Sequence, residues 1–366
     1  MIRLVSLFSG IGAFEKALDK LNIPYELVGY CEIDKYASKA YSIVHDVPET
    51  MNWRDITKVD EKSIEKPIDL ITYGFPCQDI SRAGKERGLF DENGKKTRSG
   101  LFFDALRIIN ETRPKVALAE NVKNLTGEKF KEQFKTVLDS LDEVGYNNYW
   151  RVLNAKDYGM PQARERVFIV SIRKDLDNGK FSFPKPTKLT KCMEDFLETS
   201  VDRSYYVPED KLKNMEKNDS KKEWDLKERS LWHIDTGWSW IPDSLDYEKS
   251  LVNIDRSCLQ VAYMNYSSYE MSNRVYSPKG CCPTLMASSM GNESSSCKIM
   301  VDDGVRMLTE REYLRLTGFD DKDVDALKRN NFPVARMYKV AGNSIVVNVL
   351  EALFKSIYSG NERLLG

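Results

Sequence analysis

Histidine is nearly missing from this 366-residue chain, which has only His45 and His233. That scarcity disfavours chemistry built on an imidazole triad or a His-rich metal site. Cysteine is present but badly arranged for structural work. The seven residues, at 31, 77, 192, 258, 281, 282 and 297, are odd in number and contain no C-x-x-C pair, which argues against a disulfide framework and a zinc site. They read as free thiols in a reducing compartment. No apolar run reaches the ~18 residues that a spanning helix needs. The opening MIRLVSLFSGIGAF imitates a signal peptide, yet Glu15 and Lys16 follow at once and no A-x-A-like cleavage site appears. A cytoplasmic protein with no membrane partner is expected. Net charge is only −1, so total charge does not announce nucleic acid, and such a partner would have to meet a local patch. Internal repeats and low-complexity tracts are also lacking.

The length suggests about two domains, with 41% hydrophobic residues to build their cores. Apolar runs at Ile2–Phe8, Tyr25–Tyr30, Ile68–Tyr73 and Val116–Ala119 alternate with segments of helical period, the clearest being Phe14–Leu21 and Leu101–Asn110. This alternation predicts an α/β fold whose mostly parallel sheet is covered on both faces. Two further strands, near Tyr149–Leu153 and Val167–Ile172, flank a turn-rich loop and can pair. Beyond Pro184 and Pro186 the pattern breaks. Residues from about 187 to 304 lack periodicity and hold four of the six tryptophans, which suggests a separate small domain. Helical patterning returns after Arg306 and continues to Gly360.

RLVSLFSGIGAFEKAL reads as a strand, a turn at Gly10 and Gly12, and a helix. Glu32, twenty residues after Gly12, ends the second strand, where a carboxylate can accept both hydroxyl protons of a ribose. An adenosine-containing cofactor accounts for the pair; a purely structural tight turn accounts for the glycines alone. Ala13, Phe14 and Glu15 supply no third glycine, which weakens a nicotinamide reading.

DLITYGFPCQDISRAG places Cys77 just past Pro76 at the open end of a buried strand, in the crevice where open α/β sheets bind ligands. The segment Arg82–Arg98 carries six Lys/Arg against three Asp/Glu, and positive surroundings favour the nucleophilic thiolate. A buried cysteine acting as a small hydrophobe is the plainer reading. KVALAENVKNL repeats the arrangement, ending a strand in Glu120-Asn121. That carboxyl group can exchange a proton at the crevice mouth, or simply cap a helix.

FSGIG, GFPCQ, ENV, QARER (Gln162 to Arg166) and GNS (Gly342 to Ser344), in this order, resemble the DNA cytosine methyltransferases of bacterial and phage type that modify carbon 5. The resemblance covers nearly the whole chain outside about 187–270. No Asp/Asn-Pro-Pro-Tyr/Phe element of the amino-group methyltransferases occurs. The resemblance implies a Rossmann-like mixed sheet of the class I S-adenosylmethionine-dependent kind in residues 1–186 plus 305–366, and a smaller target-recognition domain in 187–304. It further implies that Phe8, Gly10 and Gly12 line the S-adenosylmethionine pocket, Glu32 holds the ribose and Ile33 packs on the adenine. Asp55 and Ile56 would flank the adenine edge, Pro76 and Leu101 would close the pocket, and Asn343 and Ser344 would arrive from the far end of the chain. S-adenosylhomocysteine would be the product.

Carbon 5 of cytosine is a poor nucleophile, so an enamine must be made first. Attack by the Cys77 thiolate on carbon 6 would make it, with Glu120 protonating ring nitrogen 3. Arg164 and Arg166 would stabilise the carbonyl-oxygen side and hold loop and carboxylate in place. The cytosine must first be flipped out of the duplex, with Gln78, Ser81, Arg82, Lys85, Asn121, Gln162 and Arg274 as candidate contacts to double-stranded DNA. Residues Lys185–Asp303 hold sixteen basic and twenty acidic side chains, so target reading needs a local face, for which NRVYSPKGCCPTLMASS (273–289) is the candidate. Cys281 and Cys282 are expected to pack rather than bind metal. A monomer without metal is expected, working in a restriction-modification setting or as an orphan. Three alternatives stand beside this reading: a tRNA cytosine-5 methyltransferase of the same fold, a catalytically silent DNA-binding homologue, and a nicotinamide enzyme. The tRNA relatives carry a Cys-Phe-Thr element that is not found here.

Overall fold

The computed structural model describes residues 1–77, 79–80, 88–91, 94–213, 215–217, 238–240, 258–265, 267, 270–287, 297–360 and 364. Contacts divide the chain into two units, one of Met1–Leu153, Glu165–Lys185 and Val349–Gly366, the other of Asn154–Arg164 and Pro186–Asn348. The first 173 residues form strands β1 (Ile2–Leu7), β2 (Tyr25–Cys31), β3 (Leu70–Tyr73), β4 (Val116–Val122), β5 (Tyr146–Asn154), β6 (Gln162–Ala163) and β7 (Glu165–Arg173). Between them lie helices α1 (Ala13–Lys20), α2 (Lys35–His45), α3 (Phe102–Thr112) and α4 (Lys131–Glu143).

The first unit is built on one sheet of order β2-β1-β3-β4-β7-β5. Strand β1 is parallel to β2 and β3, and β3 to β4, whereas β7 is antiparallel to β4. The sheet is mostly parallel, as the strand–helix alternation predicts, and mixed through β7, as the family resemblance implies. Strands covered on both faces have no polar side, and IRLVSL, LITY and the VALA of β4 are buried at nearly every position. Because side chains alternate between faces, Val5, Leu7, Ile71, Tyr73, Ala117, Ala119, Val167 and Ile169 share one of them. There they join Phe102, Ala105, Ile108 and Ile109 of α3 and Phe134, Val137 and Leu141 of α4 in one core. The opposite face buries the hydroxyls of Ser6 and Thr72, which bond each other at 3.3 Å.

Register matters more than strand content. Leu7 pairs with both Cys31 and Tyr73, and Tyr73 with Ala119, so these four residues form one row across the sheet. The next residues along the four strands are Phe8, Glu32, Gly74 and Glu120.

The second unit carries β8 (Met215–Lys217), β9 (Trp238–Trp240), β10 (Cys258–Met264), β11 (Arg274–Tyr276), β12 (Cys282–Pro283), β13 (Lys298–Val301) and β14 (Gly304–Met307). Strand β10 is central, antiparallel to β8 and β11 and parallel to β9, and β13 links β11 to β14. The unit's helices are α5 (Glu209–Leu212), α6 (Glu310–Leu316), α7 (Asp321–Arg329) and α8 (Val334–Asn343), while α9 (Val347–Gly360) falls almost wholly in the first unit. The LTEREYL signature starts α6 through a capping box: Thr309 Oγ1 accepts from Glu312 N at 3.2 Å while Glu312 Oε2 accepts from Thr309 N at 2.8 Å. The same buried carboxylate takes both terminal nitrogens of Arg306, each at 2.8 Å. The apolar stretch from Val334 to Ser359 is two helices broken at Ser344–Val346, and Met337, Val340, Leu350, Leu353 and Phe354 are buried.

Helix α8 lies against the chain at 286–287 so closely that a Cβ on Gly342 would stand 2.3 Å from Met286 O. A main-chain oxygen cannot swing away as a side chain can. Gly342→Ala should therefore lower the stability of the second unit by about 1–3 kcal/mol, the usual cost of overpacking. Urea unfolding followed by tryptophan fluorescence would measure it, and an unshifted midpoint would show that the approach is looser.

Candidate active site

The row Leu7–Cys31–Tyr73–Ala119 brings four separate sequence stretches to the carboxyl ends of adjacent strands, the position where open α/β sheets hold ligands. On β1 the chain turns through Phe8 at φ 54°, Gly10 at φ 57° and Gly12 at φ 83°. Glycine tolerates this region; Phe8 does not, and such strain persists where surrounding contacts enforce it. Ser9 N donates to Cys31 O at 3.0 Å and Gly10 N to Glu32 Oε2 at 2.9 Å. The other oxygen of Glu32 accepts from Asp34 N at 2.8 Å, and its main chain is clasped by Asn52, which receives Glu32 N at 3.0 Å and donates to Glu32 O at 2.9 Å. Asn52 is a brace that the sequence reading missed, because nothing in NWRDI marks it.

Next to Glu32, Ile33 is 73% exposed, an uncovered apolar side chain beside an acceptor pair. Apart from its own chain neighbours, no heavy atom of the described residues lies within 4 Å of where a Cβ at Gly10 would stand, so the loop faces open space there. Asp55 accepts from Thr57 Oγ1 at 2.8 Å and Thr57 N at 3.1 Å, and these bonds hold its carboxyl below the usual range. Ile56 is buried in the core with Cys31 and Phe75, and Phe8 and Leu101 pack on that same core. Pro76 is half-buried. An acceptor pair, an exposed aliphatic side chain and a glycine turn with space above it suit a nucleoside.

On β3 and β4 the second half of the site assembles. A methyl group on Gly74 would lie 3.5 Å from Glu120 Oε2, so the start of the GFPC stretch faces the Glu120 carboxylate. Arg166 Nε sits 3.0 Å from Glu120 Oε1, both half-buried. Here β4 and β7 are antiparallel neighbours, and Val122 pairs with Arg166 in register. The loop bearing Cys77 is held on both sides: Asn121 Nδ2 donates to Phe75 O at 3.0 Å, Asn124 Nδ2 to Ile80 O at 2.6 Å, and Ile80 N to Cys77 O at 2.9 Å. Asn121, expected to touch substrate, is buried with its amide on the loop that carries the thiol. Asn124 is a second missed brace.

The thiols divide sharply. Cys31, Cys258, Cys281, Cys282 and Cys297 are buried, while Cys77 and Cys192 are half-buried. Burial pushes the Cys31 thiol up to about 12 and Cys258 and Cys282 well above their ordinary value. Cys192 is also raised by burial. Cys282 and Cys297 lie with sulfurs 4.0 Å apart. Among the described residues, no three His, Cys, Asp or Glu side chains gather as a metal site would require. Gln78, Ser81, Arg82 and Lys85 lie outside the described residues.

The second unit holds the other expected residues. Arg164 and Arg166 have different partners despite their spacing. Arg164 is buried and donates to three carbonyl oxygens, Leu285 at 3.0 Å, Gly342 at 2.9 Å and Ser344 at 2.8 Å. Gln162 is buried too, with Nε2 donating to Leu316 O at 2.8 Å, and Cys282 pairs with it in the β6–β12 bridge. The QAR part of the motif thus anchors the segment 282–285 and the turn after α8. Asn343 ends α8 and Ser344 caps it. Arg274 lies half-buried on β11.

A model of the C-5 cytosine-specific DNA methylases matches residues 2–359. The chain belongs to that family. It is 29% identical to an orphan methyltransferase, M.SPRI, of Bacillus phage SPR, over 97% of each chain. It is 30% identical to the type II methyltransferase M.HhaI of Haemophilus parahaemolyticus, over 98% of this chain and 94% of that one. The crystal structure of an S. pombe Dnmt2 methyltransferase shares the fold, with a TM-score of 0.66 at 21% identity over 98% of this chain and 99% of that one. The mixed sheet with its flanking helices is therefore that of the class I methyltransferase fold.

Alkylation of the native protein with iodoacetamide should mark Cys77 and Cys192 before the five other thiols, because those five are buried and inaccessible. Peptide mass spectrometry after short exposure checks this. Labelling of Cys31 or Cys282 at a rate equal to Cys77 would contradict it.

Proposed function

We propose that the chain methylates carbon 5 of a flipped-out cytosine in a specific sequence of double-stranded DNA, with Cys77 as covalent nucleophile. The observation that carries this is the common row, beyond which the cofactor-type turn, the thiol loop and Glu120 all begin. S-adenosylmethionine, when bound, supplies an electrophilic methyl group. Phe8, Gly10, Gly12, Glu32, Ile33, Asp55, Ile56, Pro76 and Leu101 would hold it, and the family resemblance adds Asn343 and Ser344 to the residues that bind it.

In this reading the Cys77 thiolate bonds to carbon 6 of the cytosine, and the ring's electron pair moves toward carbon 5. Glu120, as the neutral acid, protonates ring nitrogen 3 and so drains charge from the ring. Arg166 fixes that carboxyl group and faces the carbonyl-oxygen side. Carbon 5 then accepts the methyl group, a base takes the carbon-5 proton, the freed electron pair expels the thiolate, and nitrogen 3 returns its proton to Glu120. Arg164 serves this chemistry by holding its loop rather than by charge at the ring, since three carbonyl oxygens surround it. Residues 187–304 choose the target, with the 273–289 segment and Arg274 at its reading face. Gln78, Ser81, Arg82 and Lys85 would contact the DNA around the displaced base. The chain acts as a monomer in the cytoplasm.

Duplex DNA carrying 5-fluorocytosine at the target should be trapped covalently in the presence of S-adenosylmethionine, because fluorine cannot leave as a cation. The shifted band on a denaturing gel should vanish in Cys77→Ser, and fluorinated tRNA should give none. No band with fluorinated DNA, where the ordinary duplex is methylated, would refute covalent catalysis. Separately, Glu32→Ala should weaken cofactor binding by roughly 1.5–3 kcal/mol, the weight of a charge-assisted hydrogen bond. Calorimetry with S-adenosylhomocysteine reads this directly, and unchanged affinity would displace the pocket from Glu32.

A further inference from the structure

We propose that His45 is a positioning residue for the cofactor loop Ser9–Gly12, acting through the Ile11 carbonyl; this rests on reading that loop as the cofactor site. His45 is 34 positions from Ile11 in sequence, on the last turn of α2, and its side chain is 2% exposed. Its Nε2 lies 3.1 Å from Ile11 O. A carbonyl oxygen only accepts, so Nε2 carries the proton and donates. Nδ1 is 3.6 Å from Asp19 Oδ2 on α1, and the ring packs against Tyr41 at 4.8 Å between centroids.

The contact is close enough to shape the loop. A Cβ on Gly12 would stand 2.2 Å from His45 Nε2, so the imidazole occupies the space that any other residue at position 12 would fill. Every residue from 9 to 12 is then pinned through its main chain: Ser9 to Cys31, Gly10 to Glu32, Ile11 to His45, and Gly12 N to Ser9 O at 2.9 Å. Three left-handed positions within five residues, one of them Phe8, make this a loop that relaxes unless it is pinned throughout. Two pins belong to the cofactor side of the sheet, whereas His45 braces the loop from α2. Removing it leaves a main-chain carbonyl without its donor and frees the helix-opening glycine to move.

The test compares His45→Phe, which keeps the ring volume but not the donor, with His45→Gln, whose amide nitrogen can take the place of Nε2. In His45→Phe the Kd for S-adenosylhomocysteine and the KM for S-adenosylmethionine should rise about five- to tenfold, the effect of one buried hydrogen bond. The kcat at saturating cofactor should stay within about twofold. His45→Gln should recover most of the lost affinity. In the wild type, nitrogen-15 spectra of the histidine should show the Nε2–H tautomer. Unchanged affinity in His45→Phe, an equal loss in His45→Gln, or the Nδ1–H tautomer would each overturn the proposal. Should His45→Phe fold poorly, thermal melting exposes it, and the tautomer and His45→Gln still decide. Weakened binding in Glu32→Ala with unchanged binding in His45→Phe would remove this inference alone, whereas unchanged binding in both would remove the cofactor reading itself.

Discussion

The register of the parallel strands is the constraint on which the rest of the site depends. In a parallel sheet one residue of slip turns every side chain to the opposite face. Here nearly every position of β1, β3 and β4 is buried, so both faces resist a slip. The apolar packing with α3 and α4 therefore does more than stabilise the first unit. It fixes Leu7, Cys31, Tyr73 and Ala119 in one row, and so sets where Phe8, Glu32, Gly74 and Glu120 emerge. A glycine turn, the Glu32 carboxylate, a thiol loop and the Glu120 carboxyl group arrive together because hydrophobic burial has aligned the strands beneath them.

Around that row, small polar side chains do the local positioning. Asn52 clasps Glu32, Asn121 and Asn124 hold the two sides of the Cys77 loop, and His45 meets the Ile11 carbonyl. Each satisfies a main-chain group that strain or burial would otherwise leave costly. The result is a braced frame around Cys77 and Glu120, with Arg166 oriented on Glu120 by the antiparallel pairing of β4 and β7. Desolvation contributes selectivity among thiols: burial suppresses ionisation of Cys31, Cys258 and Cys282, whereas Cys77 is only half-buried.

Arg164 illustrates how one motif can serve two units. The strand-like stretch QARER places Gln162 and Arg164 among main-chain groups of the second unit, while Arg166 pairs within the first. A guanidinium surrounded by three carbonyl oxygens is a scaffold for the turn at Gly342–Ser344, and Gly342 is small because the chain at Met286 and Ala287 presses against it. The second unit is otherwise a set of short strands around β10, with a capping box and a buried Arg306–Glu312 pair ordering its helices.

Strand and helix alternation, the glycine turn, Cys77, Glu120 and the QARER spacing were legible in the chain, because periodic burial and motif chemistry are local and repeat in a short window. The mostly parallel sheet followed from that alternation. Which residues would meet did not, since parallel pairing joins segments dozens of residues apart through main-chain bonds that carry no side-chain signature. The different partners of Arg164 and Arg166, the bracing by Asn52, Asn124 and His45, and the need for glycine at 342 were decided by tertiary structure alone. Each depends on a single close approach between distant main-chain and side-chain atoms, and no pattern of neighbouring residues encodes such an approach.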